Sequence, residues 1–312
     1  MKRPVPGLSI ICSIVVIIIY FFLPGSVSFN QQVIIHGNVT NATRFLSEES
    51  QWHKWWPQNI KSGNDSSGQL LYDSYKYAIN WKLLSGDSVK IENETTFINS
   101  LLNIIPLQGD TLKIQWDGQS PKTLNPFKKF HNYREQARVR KNIVDILGSM
   151  KLFLENNDAI YGTHIDQIMV KDTLLIARKL NSSSYPTTSE IYHAIGELRE
   201  YIRKEGAVET HYPMLHISKE MGVYENMIAI PISKAITGNN IFKLKRMIPG
   251  KILITEVRGG QSTNDLALKK IENYMEDYQL LSPALPFQSL VTDRSKEPDS
   301  SKWITMIYYP VM

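Results

Sequence analysis

The chain has 312 residues, with 35 Lys and Arg against 30 Asp and Glu, a net charge of +5, and 42% hydrophobic residues. That length suits about two domains, and the composition excludes wholesale disorder. So mild a charge, without a dense basic stripe, gives no sign of nucleic-acid binding, and a single cysteine, Cys12, excludes an intramolecular disulfide and a cysteine-based zinc site.

The first element is apolar. Leu8 to Leu23 (LSIICSIVVIIIYFFL) carries no charge, and Lys2 and Arg3 precede it. As a helix this run reaches about 24 Å, and its flanks extend it to the hydrocarbon thickness of a bilayer. The expectation is a cytoplasmic N-terminus at residues 1–7, a transmembrane anchor at 8–25, and the bulk of the chain outside the cytoplasm at the cell membrane. The alternative is secretion after cleavage of a signal peptide near Ser26-Val27-Ser28.

From Val27 to about Asn156 the pattern predicts a strand over 27–37, then a short helix over 38–47 that Asn38 or Thr40 caps. The segment Trp52-His53-Lys54-Trp55-Trp56-Pro57 follows, and Lys61–Gly68 reads as a polar turn. Strands are expected over 70–79, 81–84, 88–94, 95–105 and 111–116, as in an antiparallel meander. A long helix closes the region over 126–156, with Phe130, Tyr133, Ala137, Val144, Ile146, Leu147, Met150 and Leu154 near helical spacing. Strand, short helix, W-x-x-W-W-P, strands and a long helix together resemble the SRPBCC superfamily, the START and polyketide-cyclase-like helix-grip fold. The resemblance implies a sheet curled around the long helix and an apolar cavity. It makes Trp52, Trp55 and Trp56 candidate ligand contacts, against the plainer reading that three clustered indoles close a core.

From Asp158 to Met312 the predicted elements are a strand over 160–180, a Ser/Pro-rich loop over 181–186 and a helix over 187–207 capped by Thr187, Thr188 or Ser189. Strands over 213–217, 226–233 and 251–257 follow. A second helix spans 262–278 with Leu266, Leu268, Ile271 and Tyr274 inward, and strands at 287–291 and 303–310 end the chain. Strand, helix, strand, strand occurs twice, which suggests an internal duplication of a small α+β module. Tyr212-Pro213-Met214, Ile228-Ala229-Ile230-Pro231, Ile248-Pro249-Gly250-Lys251, the Gly260 turn, Trp303-Ile304-Thr305 and Ile307-Tyr308-Tyr309-Pro310-Val311 are similar to the gyrase-inhibitor-like domain. The same domain is the effector-binding half of AraC- and MerR-type regulators.

That resemblance implies a pseudo-twofold pair of modules with an aromatic-lined ligand cleft and a buried glutamate on the penultimate strand. Here Gln288 stands where the acid is expected and Leu290 where a tyrosine is. An amide neither attracts a cation as a carboxylate does nor acts as a general base. Tyr212, Tyr274, Gln288 and Trp303 are the candidate contacts. Tyr224, Phe242 and Phe287 are further aromatics of the same kind, and Lys243, Lys245 and Arg246 read as a solvated face.

The fold class is therefore α+β, and the domains expected are 27–156 and 158–312. The function expected is capture or sensing of a small apolar or amphipathic molecule by a membrane-anchored protein, without cofactor, metal or nucleic acid. A hydrolase or cyclase would need a titratable group such as Glu256 or His164 in the cleft. An interaction protein with collapsed pockets is the third reading. Neither GxGxxG nor GxxxxGK[ST], HExxH or GxSxG occurs to organise another chemistry.

Overall fold

The computed structural model describes residues 11, 14, 17, 20–57, 70–83, 86–171 and 173–312. The expected anchor at 8–25, with Cys12, and the expected turn at 61–68 lie largely or wholly outside the described residues. Among the described residues no helix is long and apolar enough to cross a membrane. The chain divides into two compact units, Met1–Asn156 and Asn157–Met312.

In the first unit the elements are β1 (Ser28–His36), α1 (Val39–Ser47), α2 (Glu49–Trp52), β2 (Leu70–Tyr72), β3 (Tyr75–Leu83), β4 (Gly86–Glu92), β5 (Phe97–Pro106), β6 (Thr111–Gln119) and α3 (Pro126–Leu154). The strands form one antiparallel sheet in the order β1-β6-β5-β4-β3-β2. Strict alternation of burial along β4 and β6 gives this sheet one core face. Ile35, Ile91, Leu112, Ile114 and Trp116 lie on it, and Val139, Ile143, Ile146 and Met150 of α3 are buried with them. Asn38 does cap α1, accepting from the Thr40 amide at 2.7 Å. Asn125 caps α3, with Pro126 in the first turn where its missing N–H costs nothing.

Two expectations change here. The single strand read over 70–79 is a hairpin. Asp73 (φ 44°) and Ser74 (φ 64°) both sit in the left-handed region and make the mirror-image two-residue turn that joins twisted strands. Asp-Ser is a poor signal for that turn, which usually carries glycine. Over residues 130–144, α3 buries a different stripe from the one spaced by hydrophobicity. Glu135, Val139 and Asn142 are inside, while Phe130, Tyr133 and Val144 are exposed. Glu135 is tolerated there because Tyr75 Oη and Asn93 Nδ2 donate to its carboxylate. Those bonds hold its pKa below the usual range against the opposing cost of burial.

In the second unit the elements are α4 (Asn157–Tyr161), β7 (Asp166–Val170), β8 (Thr173–Ser182), α5 (Thr188–Lys204), β9 (Met214–Glu220), β10 (Val223–Ile232), β11 (Lys243–Met247), β12 (Gly250–Arg258), α6 (Gln261–Asp277), β13 (Phe287–Leu290) and β14 (Ile304–Val311). Eight strands form one sheet in the order β11-β8-β10-β9-β13-β14-β12-β7. The order is palindromic. The repeat β8-α5-β9-β10 supplies one half and β12-α6-β13-β14 the other, joined where Gln288 and Ser289 face Leu215 and Met214. Each half carries the strand that precedes the other: β7 leads into β8 but pairs with β12, and β11 leads into β12 but pairs with β8.

This exchange explains why one long strand over 160–180 is not found. Residues 157–161 are helical, and the remainder is split between β7 at one edge of the sheet and β8 inside the other edge strand, β11. Local pattern does not carry that information, because both pieces are equally strand-like.

Both helices cover one face. Ile191, Ile195, Leu198 and Ile202 of α5 pack on Ile176, Leu215, Ile228 and Ile230. Ala267, Ile271 and Met275 of α6 pack on Leu253, Val257, Ile307 and Val311. Leu266 points outward, 53% exposed, contrary to the inner face expected for it. Thr187 caps α5 in a reciprocal box with Glu190, whose pKa its hydrogen bonds from Thr187 lower.

Candidate functional site

The sheet of the second unit has a second apolar face. Strand alternation puts Leu215, Ile228 and Ile230 toward the helices and Met214, Met227 and Ala229 toward the other side. There Leu175, Ala177 and Ala229 form a small cluster with Met214, Met227 and Met247 against it. Among the described residues of this unit no helix packs on this cluster. Instead a cavity of about 490 Å³ opens over it, walled by β8–β10 on one side, the β11–β12 connection on another, and the Pro283–Phe287 segment. Ile252, Pro310 and Val311 line it from the second half of the sheet. The size is that of a small-molecule site, and unbranched methionines suit a wall that adapts to its contents.

The polar groups of the cavity are few. His216 places Nδ1 2.6 Å from the Pro286 carbonyl, which only accepts, so Nδ1 carries the proton. Its Nε2 is buried and has no hydrogen-bond partner among the described residues. Lys245, Arg246 and Lys251 lie in the wall, and among the described residues that line it there is no Asp or Glu. Glu225 sits near enough to feel His216 and Lys245, but its carboxylate accepts from Lys179 Nζ at 2.6 Å; that hydrogen bond is the main cause of its lowered pKa.

The residues singled out in the sequence are elsewhere. Tyr212 is 53% exposed in the loop before β9. Tyr274 on α6 packs between Tyr161, edge to face, and Tyr278, with centroids 5.1 and 4.5 Å away. Trp303 donates to the Glu297 carbonyl at 2.8 Å and lies under the Arg294 guanidinium, 4.8 Å from its ring centroid. Gln288 is 5% exposed on the helix-covered face, where Asn264 Nδ2 donates to its Oε1 at 3.2 Å. None of the four lines the cavity.

Where the resemblance implies an acid, the helix-covered face thus holds an amide. Close along the same face Arg294 is buried. Its Nη2 donates to Thr305 Oγ1 at 2.8 Å, and desolvation pushes its pKa down. This face has the opposite polarity to one that would select cations.

In the first unit Trp52, Trp55 and Trp56 are all nearly inaccessible, and their centroids lie 5.0–5.8 Å apart. Each indole N–H donates to a backbone carbonyl, of Leu46, Phe45 and Leu71 respectively. Tyr77 and Trp116 continue the cluster, at 5.2 Å from Trp56 and 6.1 Å from Tyr77. A depression of about 530 Å³ does exist in this unit, but it lies over the β1–β6–β5 strands and is lined by Ser28, Asn30, Asn99, Asp117 and Gln119. The tryptophans are not part of it.

Glu256 is on β12, pairs with Arg258 at 3.3 Å and does not line the cavity. His164 is exposed between Asp158 at 3.0 Å and Asp166 at 3.2 Å. Neither is positioned to act on a bound molecule. Among the described residues there is no group of three or more His, Cys, Asp or Glu able to hold a metal ion.

No family model matches the chain, and no curated protein does. Solved structures similar to it include the EcmrR C-terminal domain, 14% identical, covering 48% of this chain and 98% of its own length at a TM-score of 0.42. A hydrolase from Listeria innocua is 11% identical over 48% of this chain and 92% of that one, at a TM-score of 0.37. A START superfamily protein from Mycobacterium smegmatis is 14% identical over 40% of this chain and 97% of its own, at a TM-score of 0.29.

The wall residues that sequence reading did not select had a signal. Met214, Ile248-Pro249-Gly250-Lys251 and Pro310-Val311 all fall in the segments on which the gyrase-inhibitor-like resemblance was read, and all line the cavity. Phe287, counted among the possible cleft aromatics, is there too, stacked on Tyr308 at 4.8 Å.

Proposed function

We propose that this chain captures or senses a small apolar or amphipathic molecule, held in the cavity of its second unit. The observation that carries the reading is an apolar cavity of about 490 Å³ walled by Met214, Met227 and Met247 on the sheet face opposite this unit's helices. A gyrase-inhibitor-like module in this unit and a helix-grip-like module in the first are consistent with the element orders, and binding, not catalysis, is the activity proposed. Residues 8–25 would hold the chain at a membrane, with the units outside the cytoplasm.

Native mass spectrometry of the full chain tests this. The expected result is an adduct of low molecular mass that is lost in Ala229→Trp, which fills the cavity, while thermal melting stays close to that of the parent. A bare mass in both proteins, together with no binding of any apolar probe, would remove the reading. Met227→Trp serves as a second filling variant should Ala229→Trp fold poorly.

A further inference from the structure

We propose that the start of α3 and the segment beside it form a contact face that rests in the headgroup region of a lipid bilayer. The inference rests on the reading of residues 8–25 as a membrane anchor and adds a second contact, made by the folded first unit itself.

The apolar run Leu8–Leu23 ends against this unit. Tyr20 to Phe22 are helical. Lys129, buried near the start of α3, donates from Nζ to the Tyr20 carbonyl at 2.8 Å, and the same ammonium lies 4.7 Å from the Tyr20 ring centroid. The Thr123 amide donates to the Gly25 carbonyl at 2.7 Å. A Cβ added at Gly25 would lie 3.1 Å from the Thr123 carbonyl oxygen, so the two segments run in close contact. Whatever holds the end of the apolar run therefore also sets the position of residues 122–130.

The side chains there suit a headgroup region. Phe21, Phe22, Leu124, Phe127 and Phe130 are all exposed, Phe22 by 81% and Phe127 by 71%. Grouped large apolar side chains are costly in water, and aromatic rings are favoured where headgroups meet acyl chains. From Gly118 to Arg134 the sequence carries Lys122, Lys128, Lys129 and Arg134 and no Asp or Glu. Phe130 and Arg134 are four residues apart on α3, so ring and cation adjoin. Rings beside cations match a surface of anionic phosphate headgroups. A protein partner could also cover the rings, but continuity with an uncharged apolar run favours a bilayer.

Fluorescence of the full chain in vesicles of phosphatidylcholine and phosphatidylglycerol tests this. Cys12→Ala is the background, and an environment-sensitive NBD label is placed on Phe127→Cys or, for comparison, on Leu152→Cys. Leu152 is also exposed, near the other end of α3. The expected result is that the label at position 127 shifts to shorter wavelength when vesicles are added and loses most of its emission to a nitroxide carried on lipid headgroups, while the label at 152 does neither. Phe127→Glu should abolish the shift of a label on Phe130→Cys, and that second site serves alone should Phe127→Cys fold poorly. If the chain floats with the vesicles but the labels at 127 and 130 report water, the contact face is overturned and the anchor stands. Equal quenching at 127 and 152 overturns the face as well. A chain that does not float with vesicles overturns anchor and face together and leaves the cavity reading to its own test. A shift that precedes the vesicles and grows with protein concentration assigns the face to a second copy and overturns the inference.

Discussion

The two units treat large apolar side chains in opposite ways. In the first, Trp52, Trp55, Trp56, Tyr77 and Trp116 lie ring to ring, and the three clustered indoles satisfy their N–H groups on the protein's own backbone. In the second, the helix-covered face is packed with Ile and Leu, and the opposite face is left to Met214, Met227 and Met247 under an open cavity. A dense aromatic motif marks a place already filled. The open cavity lies where flexible side chains line the sheet face opposite this unit's helices.

The largest effect expected from this contrast is on stability. Trp55→Ala should destabilise the first unit by about 3–5 kcal/mol, because a buried indole leaves both a cavity and an unpaired Phe45 carbonyl. Urea unfolding measures it. If the variant unfolded normally but lost ligand binding, the contrast between the units would break. Next in size, Gly118→Ala should cost about 1–3 kcal/mol, since an added Cβ would come 2.3 Å from the buried ring of Phe29. An unchanged melting temperature would show that the Phe29 ring moves aside freely.

Smaller effects sharpen the description of the second unit. Thr187→Ala should cost about 1 kcal/mol by removing the capping box of α5, read as a shift in denaturant midpoint. Hydrogen exchange in the first turn of α5 should rise with it. The smallest effect concerns His164, whose pKa is raised chiefly by its hydrogen bond to Asp158 and then by the charges of Asp158 and Asp166. The contribution to stability is full below the imidazole's ordinary value of about 6.5 and is lost as pH rises through the elevated folded value. An NMR titration of the ring proton should show the upward shift, and His164→Gln should flatten stability against pH above about 6.5. A His164 that titrates normally would mean that the Asp158–His164–Asp166 arrangement is not held in solution.

Much of the fold was readable along the chain. The meander of β4 to β6 follows from alternation, α1 and α5 from their caps, and the duplication of the second unit from a repeated element order. What failed was whatever depends on a partner distant in sequence. Nothing local in 160–180 says that β7 and β8 belong to opposite halves of one sheet. Nothing local says which stripe of α3 meets the sheet, and its exposed Phe130 and Tyr133 are as apolar as its buried residues. The candidate site shows the same division. Gln288, singled out along the chain as a candidate contact, belongs to the helix-covered face, where Asn264 bonds its side chain, and not to the cavity.

By itself, then, the sequence determined most element types, the helix caps and the α+β class, because each depends on residues within a few positions of one another. Only the tertiary structure decided which strands exchange edges, which sheet face stays uncovered and which side chains surround the cavity. Those outcomes depend on pairings such as Lys245 with Leu175 and Gln288 with Leu215, across separations that no local period encodes. The methionines and the lysine of the wall are ordinary residues in ordinary strands until the sheet brings them together.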